Sequence, residues 1–326
     1  MYLCTRIVPA TLPEDQRTRA GRFFIYRSME YTKQPITLAE QIEILKQRGL
    51  IFDNEAEATE TLRRISYFRL AAYWRPMEMD SSSHTFRKGS RFATALALYQ
   101  FDNDLKALLF RAIQTIEVAV RTQMIQHFSM KYGAFWFMNE ELFTSGEIYQ
   151  KHIKSLRRAL ERSQDDFIME HFRRYNTPDM PPAWKTMELA TLGTLSRIYS
   201  NFCDNVIKKQ VARDLGIPQH EFMRNWLENL TIIRNNCAHH ARMWNRRFVV
   251  RLRLPHHLPF PWIADNTFPI DRLYPQLCCI AYWLNRVDPQ NTFVGDLKIL
   301  LLRYPTVDPA AMGFPAHWRQ EPLWQI

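Results

Sequence analysis

The sequence predicts a mostly α-helical protein, and three observations carry that reading. Apolar residues recur three and four apart over long stretches, most cleanly from Phe101 to Phe128, which is the spacing of one helical face. Glycine is scarce, 9 residues against 18 prolines in a chain of 326, whereas the turns of a sheet-rich fold would consume it. Alternating runs of Val, Ile and Thr are few, so strands lack their usual signature. Hydrophobic residues at 46%, with 21 Phe, 13 Tyr and 9 Trp, supply enough surface for a core that needs neither disulfides nor a structural metal.

The elements follow in chain order. Residues 1–34 carry Arg6, Arg17, Arg19, Arg22 and Arg27 without a sustained period and read as a loose basic arm. Residues 35–90 form an N-terminal helical region. In it Thr37 and Glu40 have the spacing of a capping box, and Ile42 and Leu45 continue a short helix that stops at Gly49. A second helix runs from about Glu55 through Leu62, Ile65, Phe68, Leu70 and Tyr73 to Pro76, and Met77 to Gly89 reads as a polar loop containing Ser81, Ser82 and Ser83.

Residues 91–250 form the core region, built on the stripe Phe101, Leu105, Leu108, Leu109, Ala112, Ile116, Val120, Met124 and Phe128. Glu117 and Arg121 lie four apart on that helix, close enough to pair, either as a buried structural ion pair or as support for an active site. A helical region from Glu147 to Tyr175 carries Arg157, Arg158, Arg162, Arg173 and Arg174, either a solvated face or an RNA contact. Pro178, Pro181 and Pro182 break the chain, and Trp184 to Phe202 resumes the helical period with Gly193 inside it. A further helix starts near Pro218 and runs through Phe222, Trp226, Leu230 and Ile233. Residues 251–326 begin with Pro255, Pro259, Pro261 and Pro269, an extended crossing, and end in helices over Arg272–Val287 and Thr292–Arg303, with Trp318 and Trp324 anchoring the tail.

Charge and cysteine usage bound the setting. A formal net charge of +10 attracts polyanions such as RNA, DNA or anionic lipid without choosing among them, and scattered cations on a soluble protein give the same sum. The cysteines Cys4, Cys203, Cys237, Cys278 and Cys279 are odd in number and include an adjacent pair, a poor disulfide framework that suits a reducing compartment. No apolar run approaches the roughly 20 residues of a membrane span, and the N-terminus lacks the order of a signal peptide. A cytoplasmic protein without membrane contact is expected.

Directly after the apolar stripe that ends at Ile233 come Arg234, Asn235, Asn236, His239, His240 and Arg242, within nine residues. A merely structural helix rarely collects such groups, since each costs about 1–3 kcal/mol if it loses water without finding a partner. Asn235 and His239 share a helical face. Arg234 and His239, five steps apart, point away from each other by about 140° on a straight helix. Arg234 must reach round, the helix must bend, or a symmetry mate must complete the site. Arg, His and Asn without a carboxylate cluster suit metal-free cleavage of RNA, in which the ribose supplies its own nucleophile. Histidine, with an ordinary pKa of about 6.5, exchanges protons with the 2′-hydroxyl and the leaving oxygen. Arginine holds the phosphate. Products would be a 2′,3′-cyclic phosphate and a 5′-hydroxyl, and DNA would resist. On spacing alone a hydrogen-bonded His239 and a salt-bridged Arg234 remain open, as does zinc held by Cys237, His239, His240, His256, His257, Cys278 or Cys279. Those spacings match no familiar Cys/His framework.

Motifs along much of the chain resemble the Abi-like family of bacterial abortive-infection proteins, within the wider HEPN superfamily of helical ribonucleases and nucleotide-associated domains. They are Glu40-Gln41-Ile42-Glu43-Ile44-Leu45 with Arg48-Gly49-Leu50, Ile65-Ser66-Tyr67-Phe68-Arg69-Leu70 with Tyr73-Trp74, and Tyr99-Gln100-Phe101-Asp102. Further on come Ile116-Glu117-Val118-Ala119-Val120-Arg121, Pro181-Pro182-Ala183-Trp184, Leu192-Gly193-Thr194-Leu195-Ser196 and Arg234-Asn235-Asn236-Cys237-Ala238-His239-His240. The resemblance implies an all-α, HEPN-type helical bundle with additional N-terminal and C-terminal helices. It implies a nuclease motif of Arg, four to six residues, then His, which casts Arg234 and His239 as the catalytic pair with Asn235 orienting either. His240, which also fits the spacing, stands with Asn236, Arg242, Glu117 and Arg121 as support, and Arg157, Arg158, Arg173, Arg174, Arg246 and Arg247 as RNA contacts. No cofactor and no metal are implied. The implied partners are RNA, as substrate and also as a small non-coding RNA, a second copy of the chain, and an antitoxin or phage trigger. Two other readings stay open: a non-catalytic module that binds RNA or protein, and a toxin silenced by nucleotidyl modification.

Overall fold

A computed structural model describes residues 34–80 and 82–325. The basic arm expected at 1–34 lies outside the described residues except for its last residue, as does Ser81 of the polar loop. Twelve α-helices make up most of the described chain, and its one sheet is a two-stranded hairpin of β1 (Glu78–Asp80) and β2 (Thr85–Phe86). The fold is all-α, as the glycine-poor, helix-periodic sequence predicts. No helix of the described residues is long and apolar enough to cross a membrane.

The chain divides into two compact units, the first ending at Gln100 and the second beginning at Phe101. In the first unit, α1 (Leu38–Gln47) opens with the predicted capping box, the Glu40 N–H donating to the Thr37 hydroxyl at 3.2 Å and the Thr37 N–H donating to the Glu40 carboxylate at 2.7 Å. The single helix expected from Glu55 to Pro76 is two, α2 (Glu55–Arg64) and α3 (Tyr67–Trp74). Ile65 is extended, and the Ser66 hydroxyl accepts the Arg69 N–H as a fresh N-cap, so local capping wins over a continuous apolar period. The expected polar loop folds back as the hairpin.

The helix α4 (Phe92–Tyr132) is 41 residues long, longer at both ends than its clean stripe. In the second unit Phe101, Leu105, Leu109, Ala112, Ile116, Val120, Met124 and Phe128 are all buried, and only Leu108 of the predicted stripe is half-exposed. The region from Glu147 to Tyr175 is broken into α5 (Gly146–Arg162) and α6 (Asp166–Arg174), and the next into α7 (Ala183–Thr186) and α8 (Leu192–Asn201), the latter capped by the Thr191 hydroxyl. The sequence reading passed over α9 (Asn205–Asp214), a short polar helix capped by Asp204. Next, α10 (His220–Ala238) packs along α8.

The proline-rich crossing is irregular, as expected, and side chains of α10 hold it. The Asn225 amide donates to the Arg251 carbonyl and accepts the Arg253 N–H, and the Trp226 indole donates to the Arg253 carbonyl at 2.8 Å. Every residue of α11 (Leu273–Val287) from Leu273 to Leu284 is buried, so this helix is apolar all round and central. After α12 (Phe293–Arg303) the tail is pinned by Trp324, whose indole donates to the Tyr274 hydroxyl and whose ring meets Trp318 edge-on.

One buried group gives the fold a pH dependence. His152 of α5 is wholly buried between the rings of Phe143 and Tyr149, 4.7 and 5.1 Å away, and among the described residues its ring nitrogens find no hydrogen-bond partner. Burial, and then the charge of Arg197, push its pKa down to about 4. Below its ordinary value near 6.5 the unfolded chain takes up a proton that the folded chain refuses, so stability falls as pH drops from about 6.5 towards about 4. In urea unfolding, His152→Leu should lose about 2 kcal/mol less than wild type between pH 7 and pH 5. Identical losses would show that His152 is not the group responsible.

Candidate active site at the end of helix α10

The buried apolar residues of α10 are Met223, Trp226, Leu227, Leu230, Ile233 and Cys237, a helical face joined by the buried Asn229, and Arg234, Asn235 and Asn236 lie off it. The helix ends at Ala238 in a Schellman turn. The Ala241 N–H donates to the Asn236 carbonyl at 2.8 Å and the His240 N–H to the Cys237 carbonyl at 3.1 Å. His239 is the C-cap residue, and His240 occupies the left-handed position with φ 55°. Glycine usually takes that place, and a side chain there costs on the order of 1 kcal/mol. Such strain tends to persist where a side chain has work to do. Both histidines are exposed, and among the described residues the ring of His239 makes no hydrogen bond.

Past the turn the chain is fixed by a carboxylate. Asp102 of α4, wholly buried, accepts the N–H groups of Met243 at 2.9 Å and Trp244 at 2.5 Å, and the Lys106 ammonium lies 3.1 Å from its other oxygen. Lys106 is itself only 6% exposed. The two backbone donors and the cation together offset the desolvation of the carboxylate. Asp102 and Lys106 were missed as site residues by the sequence reading. Their signal was present, two charges four apart set into an apolar stripe, between Phe101 and Leu105 and just after it. The next residue on, Asn245, is again left-handed, with φ 50°, and accepts a hydrogen bond from Arg272 at 2.6 Å.

Arg234 leaves α10 on a different side. It lines a cleft of about 250 Å³ with Phe110, Gln114, Glu117, Val118 and Arg121 of α4. Its guanidinium stands 5.8 Å over the Phe110 ring and donates to the Asn235 side chain at 3.4 Å. Arg121 donates to Glu117 at 3.1 Å and to the Ala190 carbonyl at 3.0 Å, and lies 3.6 Å from Glu188. The Glu117–Arg121 pair ties α4 to the segment before α8, and it also walls the cleft that Arg234 lines.

Within one chain Arg234, Glu117 and Arg121 are brought together, whereas His239 and His240 stand at the helix end and do not line the cleft. Asn236 contributes its carbonyl to the Schellman turn, and Arg242 its carbonyl to the Arg246 guanidinium at 3.1 Å. Among the other arginines, Arg157 pairs with Asp179, Arg174 with Glu170 and Arg247 with Asp271, while Arg173 is exposed. Arg158 lines a groove with Lys151, Lys154 and Arg162.

The cysteines weighed as zinc ligands are core residues. Burial, and then the Asp102 charge, push the Cys237 thiol up to about 12, and burial raises Cys278 and Cys279 above the ordinary thiol range. The one cluster among the described residues with donors close enough to share a cation is Asp265, His317 and Glu321. Two of its members already have structural partners: Glu321 accepts the N–H groups of Ala264 and Asp265, and Asp265 accepts the N–H and hydroxyl of Thr267.

Removing the Asp102 charge should strand Lys106. Asp102→Asn is expected to cost about 3–5 kcal/mol in denaturant unfolding, as for other broken buried pairs, and Asp102→Asn with Lys106→Met should recover part of that loss. A loss under about 1 kcal/mol would mean the pair does not hold the turn.

A family profile described as Abi-like protein matches residues 60–245, more than half of the chain and inclusive of α4, α10 and the histidine turn. No curated protein and no solved structure matches.

Proposed function

Because the chain belongs to the Abi-like protein family, we propose that it is a metal-independent endoribonuclease of the HEPN type acting in abortive-infection defence against phage. Family membership supports the defence role. The reading of the chemistry rests on one observation: α10 ends in two exposed histidines on a turn strained at His240, with an arginine cleft one turn earlier on the same helix.

In this reading Arg234, held over Phe110 and backed by Arg121, takes the scissile phosphate and stabilises charge gathering on its non-bridging oxygens. His239 removes the proton of the ribose 2′-hydroxyl as its oxygen attacks phosphorus. The bond from phosphorus to the 5′-oxygen breaks, and that oxygen takes a proton, leaving a 2′,3′-cyclic phosphate and a 5′-hydroxyl. Asn235, already hydrogen-bonded to Arg234, orients the guanidinium. His240 is placed to serve as the second proton carrier. The five steps from Arg234 to His239 span about 7.5 Å of helix axis and turn the two apart, so the working site takes its arginine from one copy and its histidine from another across a homodimer.

A second reading, a binding module without chemistry, draws support from the cleft of Arg234, whose lining includes neither histidine. Incubation of end-labelled single-stranded RNA with the full chain in EDTA separates the two. The wild type should cut and leave cyclic phosphate ends, and His239→Ala should lose at least about 100-fold in rate, the contribution typical of a general acid or base. Binding without cutting by both proteins would favour the module.

A further inference from the structure

We propose that the outward face of α5 is a track for the phosphate backbone of single-stranded RNA, separate from the cleft of Arg234 and leading towards it. The choice of RNA as occupant rests on the ribonuclease reading. Lys151, Lys154, Arg158 and Arg162 line one open groove of about 420 Å³ with Ser155 and Ala159. At 100° per residue the four cations fall within a sector of about 80° and extend over about 16 Å of helix axis. They lie opposite the buried face of Tyr149, His152, Ile153, Leu156 and Leu160.

A solvated helix face would show cations balanced by carboxylates three and four residues away. Some surface arginines of this chain meet a carboxylate, Arg63 with Glu60 and Arg174 with Glu170 on their own helices, and Arg157 with Asp179 and Arg247 with Asp271 across the fold. Of the four groove cations only Lys151 does, pairing with Glu147 at 2.6 Å. Among the described residues Lys154, Arg158 and Arg162 have no carboxylate partner, although Glu161 lies on the same helix. Like charges four apart destabilise a helix by a few tenths of a kcal/mol, so a row of them answers to a ligand of opposite charge. The groove contains no aromatic side chain on which a base could stack, which makes it a backbone contact without sequence preference.

Contacts through α8 give the track its direction. The Ser155 hydroxyl meets that of Thr194 at 3.3 Å, and Thr194 accepts a hydrogen bond from the exposed Arg197 at 3.2 Å. The neighbouring Gly193 lets α8 lie against α10, where an added Cβ would come within 3.2 Å of the Thr231 methyl. Thr231 is one turn before Arg234. Arg197 thus stands between the α5 row and the helix that carries the cleft.

The test is fluorescence anisotropy of the full chain with a labelled 2′-O-methyl oligoribonucleotide, which lacks the nucleophile and cannot be cut, over a series of salt concentrations. Lys154→Gln/Arg158→Gln/Arg162→Gln is compared with Lys209→Gln/Arg213→Gln/Arg224→Gln, which loses the same charge elsewhere, after thermal unfolding has shown both to be folded. The α5 variant should bind about tenfold or more weakly, and its log–log salt slope should fall by about 2, the sum of three lost phosphate contacts, while the control moves little. Equal weakening of the two variants, an unchanged α5 variant, or a wild type that does not bind would each overturn the track. Because the probe is not cut, the result is independent of the ribonuclease reading: failed cleavage with a positive binding result leaves the track standing.

Discussion

The buried carboxylate of Asp102 is the constraint on which the candidate site depends. It takes two backbone N–H groups from the chain just past the histidine turn and is balanced by Lys106 one turn along α4. The Schellman turn holds His239 and His240 on α10, and the chain that leaves that turn is tied to a helix more than a hundred residues away in sequence. A neutral residue at 102 could accept fewer hydrogen bonds and would leave a cation in the core, so charge, hydrogen bonding and burial must agree at this one position.

The same helix serves the other half of the site. About two to five turns beyond Asp102, α4 presents Phe110, Glu117 and Arg121 to Arg234, so one rigid element braces both the arginine cleft and the exit from the histidine turn. Rigid support of this kind is what a phosphoryl-transfer site without a metal requires, since its rate comes from positioning and fixed charge. The uncompensated cations of α5 and Arg197 extend the positive field away from the cleft along two further helices of the same unit, so the net charge of +10 is partly organised.

Much of this was legible in the sequence. The apolar period of α4, the capping box of α1 and the proline-rich crossing read correctly because each is a local signal with one physical meaning. The density of polar groups after Ile233 marked the end of α10. What escaped was of two kinds. Helix breaks at Ile65-Ser66 and after Arg162 were hidden because the apolar period runs on across them, while short-range bonds decide the matter: the Ser66 hydroxyl caps α3, and the Ser163 hydroxyl accepts the Asp165 N–H in a local turn. The part played by Asp102 was hidden because its partners, Met243 and Trp244, are remote in sequence, although its place beside Phe101 in a core stripe was a sign. The grouping of cations on α5 was likewise obscured, since nothing in the sequence tells Arg157, which meets Asp179, from Arg158, which does not.

The most direct measurement is RNA cleavage by a mixed dimer of one Arg234→Ala and one His239→Ala protomer, purified through two different tags. If each cleft takes its arginine from one copy and its histidine from the other, the mixed dimer contains one intact site, and cleavage should return although neither variant cuts alone. A mixed dimer as inert as the two variants, beside a wild type that cuts, would contradict the composite site.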